Sequence, residues 1–156
     1  WYCGTAVSIA PFFLIGHAIA YVKDAAPDGY SFWYAFSISL AAIFYCFIGL
    51  WALQKILSRF FNRDSVIFLL LVLILFATNL FYYSTSEPLM SHVYSFAFVN
   101  LFLVSVMNFI MSNKRKFIYL TAFFLGMIIL IRPVNGLIIF LIPFLFVGEQ
   151  FNYLLR

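Results

Sequence analysis

Apolar runs separated by short polar breaks dominate the pattern of this chain. The runs cover residues 5–22, 32–53, 66–83, 93–111, 117–131 and 137–147. At 1.5 Å per helical residue, 32–53 extends about 33 Å, enough to cross a hydrocarbon core of about 30 Å. Runs 66–83 and 93–111 are predicted as ordinary spans. Pro11 interrupts the first run, and the remainder to Val22 would reach only about 18 Å. That run is either one Pro-kinked span or a helix lying in the membrane interface, and the interfacial reading is preferred. A single helix over 117–147 would measure about 46 Å and overshoot the bilayer, so the pattern predicts a break near Pro133 and Gly136. The predicted fold is all-α and polytopic, with about five transmembrane helices after an N-terminal interfacial or Pro-kinked helix. Residues 1–156 read as one membrane domain. A chain that begins at Trp1 is expected to be part of a larger protein.

Composition strengthens the membrane reading. The chain is 66% hydrophobic and 9% charged, with a mean hydropathy of +1.07. A soluble domain carries about a quarter charged residues. The net charge of +4 does not point to nucleic acid, because the basic residues lie in short loops. Loops 54–65 and 113–116 carry Lys55, Arg59, Arg63, Lys114, Arg115 and Lys116, six of the nine basic residues. The positive-inside rule makes that side cytoplasmic and puts loops 23–31 and 84–92 outside. Trp33, Tyr34, Tyr82, Tyr83 and Tyr94 fall at the outer boundary, as an aromatic belt would. By alternation Arg132 also lies towards that side. Cys3 and Cys46 read as small apolar residues rather than a disulfide. Asp24 and Asp28 flank a Pro-Gly turn, and Asn79 and Asn100 are expected to bond between helices.

Few ionisable groups lie within or beside the apolar runs. Arg132, in "IRPVNG", has two readings. It is an interface anchor whose side chain snorkels, or it is an anion site. In the second reading Asn135 supplies an amide, and a helix starting near Gly136 offers free N–H groups. Guanidinium, amide and helix start together suit a phosphate. The stretch "STSEPLMSHVYS" is the other candidate. Thr85 or Ser86 would cap a helix with Pro88 in its first turn. Glu87, Ser91 and Tyr94 or Ser95 would then share one face, with His92 nearby. This is either a plain helix start or a polar stripe facing an outer cavity. Glu87 is the only metal candidate there, and no cofactor is otherwise implied. His17 reads as a core or interface histidine.

Several stretches together resemble the C-type fold of glycosyltransferases, which take a sugar from a polyprenyl-phosphate carrier. Protein O-mannosyltransferases and lipid A aminoarabinose transferases are members. "WYCGTAVSIAPFFLIGHAIAY" looks like that family's segment after the first long outer loop. "STSEPLMSHVYSFAFVNLFL" looks like the outer loop opening a later span. "FFLGMIILIRPVNGLIIFLIP" looks like its Gly-x-x-x-x-x-Arg-Pro-x-Asn stretch. The resemblance implies inverting transfer, at a periplasmic or lumenal site, from a polyprenyl-phosphate-linked sugar that is substrate rather than cofactor. It makes Arg132 the candidate for holding the carrier phosphate, and Asn135, His92 and Glu87 complete the substrate- or phosphate-binding candidates. The Phe-, Ile- and Asn-rich composition, with the Arg-Pro-x-Asn stretch, points towards a bacterial inner membrane. The acidic loop that supplies the family's general base is absent from these 156 residues, so that base is expected outside this chain. A transporter or flippase segment with an anion site at a broken helix, or a non-catalytic membrane scaffold, are the alternative readings.

Overall fold

A computed structural model describes residues 3–145 of the chain. The described residues are helical: α1 (Cys3–Val22), α2 (Phe32–Leu57), α3 (Asp64–Ala77), α4 (Leu80–Thr85), α5 (Ser91–Ser112) and α6 (Arg115–Ile131). A 3₁₀ segment (Pro133–Leu141) and one last turn, α7 (Ile142–Leu145), follow. Three helices, α1, α2 and α5, are long and apolar enough to cross a membrane.

This differs from five spans in three places. Run 66–83 is split at Thr78–Asn79. There the Thr78 hydroxyl donates to the Ile74 carbonyl (2.6 Å) and accepts from the Leu80 N–H (3.2 Å). A side chain that bonds the local backbone on both sides competes with the helical ladder. Helix α6 has only 17 residues, about 25 Å. In run 137–147 the described residues are a 3₁₀ segment and one α-turn, and residues 146 and 147 lie outside them. The first run, by contrast, is one continuous helix of 20 residues with Pro11 inside it. It packs lengthwise and antiparallel on α2, with Ser8 near Tyr45 and Gly16 near Ser37. By length and composition it is a candidate span, the alternative to the interfacial reading.

Small residues let the helices approach closely. Ser37, Ala41, Cys46, Gly49 and Ala52 are buried along α2. At Gly49 an added Cβ would lie 2.5 Å from the Phe96 ring and 3.1 Å from the Ala97 Cα. Helices α2 and α5 therefore run parallel with Gly49 level with Ala97, and edge-on and tilted aromatic pairs repeat that register. Tyr45 meets Tyr94 at 5.2 Å and Phe98 at 5.6 Å. At the other end, Arg59 donates to Asn108 Oδ1 at 2.6 Å. This contact brings loops 54–65 and 113–116 to one end of the bundle. Helix α6 returns along α5, and the core lies among Ile9, Tyr94, Phe98, Phe102, Ile128 and Ile131.

That register has a consequence for depth. Ser91, the first residue of α5, is level with Ile43, near the middle of α2. Phe32 therefore stands about 16 Å beyond it. The upper half of the α1–α2 hairpin is flanked by exposed Phe32, Phe36, Leu40, Leu14 and Ile15, an apolar surface suited to lipid. The hairpin turn follows the sequence: Asp28 Oδ1 accepts from the Tyr30 N–H at 2.9 Å, and Gly29 has φ +85°.

The aromatic belt is corrected in part. Tyr82 is exposed, but Tyr34 and Tyr94 are buried at 1% and 0%. Once α1 lies along α2, Tyr34 packs on Phe13 and its hydroxyl sits 2.6 Å from His17 Nδ1. The Tyr94 hydroxyl donates to the Pro88 carbonyl at 2.8 Å. Replacing Tyr94 with Phe removes one buried donor and leaves that carbonyl without it. Thermal unfolding in detergent should then show a loss of about 1 kcal/mol. No loss would mean that the bond contributes nothing to holding the 86–90 turn.

Candidate anion site

Helix α6 ends at Ile131, and Arg132 is extended (φ −152°, ψ 111°). Pro133 enforces the stop, since its ring disfavours helical geometry in the preceding residue. The next helix starts at Pro133 itself, three residues before the predicted Gly136. It is 3₁₀, and the Asn135 N–H is already used by the Arg132 carbonyl at 2.9 Å. The expected array of free helix-start N–H groups near Gly136 is therefore replaced by side chains.

Those side chains point at the first turns of α5. Arg132 Nε donates to Ser91 Oγ at 2.7 Å. Arg132 Nη2 lies 3.2 Å from His92 Nε2. Asn135 Nδ2 donates to Ser95 Oγ at 3.1 Å. Ser91 and Ser95 are one turn apart and so share a face. A guanidinium only donates, so His92 Nε2 accepts and the imidazole is neutral, with its proton on Nδ1. Arg132 has five N–H donors, and these bonds use two of them. Among the described residues the remaining three have no partner and suit an oxygen-rich anion. Both of these partners are neutral, and among the described residues no carboxylate pairs with the guanidinium.

The four residues singled out from the sequence do not all meet. Arg132, Asn135 and His92 come together. Glu87 does not join them. It is exposed, in a turn closed by the Met90 N–H donating to its carbonyl (3.0 Å). Helix α5 begins at Ser91, after Met90, rather than after Thr85 or Ser86. Thr85 instead closes α4, donating to the Phe81 carbonyl at 2.9 Å. Glu87 therefore precedes the helix and cannot share its polar face. Among the described residues, no three His, Cys, Asp or Glu side chains gather as a metal ion would require. Asn100 bonds within its own helix, to the Phe96 carbonyl at 2.8 Å, rather than between helices.

One member was not foreseen. Tyr83, from α4, stacks on the His92 ring at 4.4 Å and 16°. His92 thus joins the Arg132 cluster to a groove of about 400 Å³ beside the α3–α4 break, lined by Thr78, Asn79, Tyr83 and Phe96. Its sequence signal is the Thr78-Asn79 pair inside an apolar run.

Comparison with protein-family models, curated proteins and solved structures finds no match to this chain.

Proposed function

We propose that this chain forms part of a membrane glycosyltransferase, and that Arg132 holds the phosphate of a polyprenyl-phosphate-linked sugar. The convergence of Arg132 and Asn135 on Ser91, His92 and Ser95 carries the reading. Two segments forty residues apart hold a guanidinium, with three N–H groups unpartnered among the described residues, beside an amide. A snorkelling anchor has no need of such a cage.

Depth supports the same reading. If the apolar α1–α2 hairpin lies in hydrocarbon, the cluster sits well below the plane of its turn. An Arg near the membrane centre costs roughly 2.5–3.5 kcal/mol on insertion scales, and Ser91 and His92 offset part of that cost. A phosphate carried on a lipid reaches this depth from the side. In the transfer, the bond from the sugar's anomeric carbon to the carrier phosphate breaks. The charge that grows on the leaving phosphate is stabilised by the guanidinium. The acceptor hydroxyl needs a general base, which this reading places outside the chain. The outer-face orientation and the bacterial inner membrane belong to the same proposal.

A polyprenyl phosphate bearing a photoactivatable diazirine near its phosphate tests it. Labelling in membranes should fall on 91–95 and 132–136, and plain polyprenyl phosphate should compete it away. Uncompeted labelling spread along the exposed faces of α1 and α2 would contradict the reading.

A second reading rests on the pairing of two helix breaks, at Thr78–Asn79 and at Arg132–Pro133. Paired discontinuous helices at mid-depth are a feature of transporters. Uptake of an anion by vesicles holding the protein, with no glycosyl product formed, would favour it.

A further inference from the structure

The groove beside the α3–α4 break shares a wall with the Arg132 cluster through His92 and differs from it in chemistry. Its volume, about 400 Å³, falls in the range of small-molecule sites. Among the described residues no lysine, arginine or carboxylate lines it, and His92 is neutral by its bond to Arg132. What it does present is polar and aromatic. Thr78 and Asn79 sit exposed where the helix is broken, and the Asn79 amide makes no capping bond. The Tyr83 ring lies flat on the imidazole, so His92 Nδ1–H stands beside an aromatic face at the groove edge. An aromatic plane next to an amide and an imidazole N–H suits a ring with apolar C–H faces and several hydroxyls. A cationic amino sugar would meet the Arg132 charge beside His92 with no carboxylate among the described lining residues to offset it.

We propose, building on the phosphate reading, that this groove binds the glycosyl group of the lipid phosphate held at Arg132, and that it selects a neutral sugar. Asn79 and Tyr83 are then specificity-determining residues, and His92 positions the phosphate relative to the sugar.

The test compares three probes on the protein in nanodiscs: decaprenyl phosphate, the same lipid phosphate carrying a neutral hexose, and the same carrying an amino sugar. The unsubstituted protein should bind the neutral glycolipid about tenfold more tightly than bare decaprenyl phosphate, the value of one to two good hydrogen bonds. Asn79→Ala should bring the two affinities together without weakening bare decaprenyl phosphate. Tyr83→Phe, which keeps the ring, should retain the preference, and Tyr83→Leu, which keeps apolar bulk, should lose it. Equal affinities for bare and glycosylated lipid in the unsubstituted protein would overturn the groove assignment while leaving the phosphate reading intact. So would a preference that survives Asn79→Ala and Tyr83→Leu. Tighter binding of the amino sugar would overturn the neutral selectivity. Failure of all three probes to bind would overturn both readings.

Discussion

Arg132→Ala should lower sugar transfer from a polyprenyl phosphate by at least about 100-fold, the scale seen when one preorganised donor to a developing oxyanion is removed. The full-length protein should still insert and fold, losing no more than about 1–3 kcal/mol with the bonds to Ser91 and His92, because among the described residues no buried carboxylate is left uncompensated. Arg132→Lys should recover only a small part of the activity. Lysine keeps the charge but lacks the planar fork that reaches Ser91 and His92 together while leaving donors for a phosphate. Turnover of the lysine variant near that of the unsubstituted protein would mean that charge alone suffices and that the cage has no geometric role.

The second large effect concerns packing. A Cβ built on Gly4 would collide with the Ile131 N and lie 2.5 Å from the Leu130 carbonyl carbon. Both are backbone atoms, so rotating a side chain cannot relieve the clash. Gly4→Val should cost about 3 kcal/mol and push α1 away from α6 immediately before Arg132. Stability and the Arg132 site should therefore fail together. Gly126→Ala is the matched control. Nothing lies within 4 Å of its added Cβ, and alanine in a helix interior should stabilise by about 0.5–1 kcal/mol. The comparison is thermal unfolding in detergent. Equal melting of the two variants would refute the close α1–α6 crossing.

Much of this was legible in the chain, for physical reasons. The stop after Ile131 followed from Pro133, and the long span of α2 from an unbroken apolar run. The grouping of the basic loops followed from charge alone. What stayed hidden depends on contacts across the fold. Pro11 reads as a break, but α2 packs along both sides of it and α1 runs through. Tyr34 and Tyr94 read as interfacial, but α1 covers one and Pro88 satisfies the other. The Thr78 bonds that split run 66–83 are local, and a Thr-Asn pair in an apolar run was their signal. Ser91 and Ser95 were visible as a polar stripe, but their partners lie forty residues away. Glu87 was misplaced because the helix was expected to begin before it.

The central claim is that the Arg132 guanidinium contacts a lipid phosphate, and solid-state NMR reads that contact directly. Protein carrying nitrogen-15 arginine is placed in bilayers with polyprenyl phosphate, and the phosphorus nucleus is used to dephase the guanidinium signals. One arginine should dephase as for a separation of about 4 Å, close to hydrogen-bonded contact, and Arg132→Ala should remove that signal alone. Dephasing that is absent, or that persists in the variant, would contradict the account.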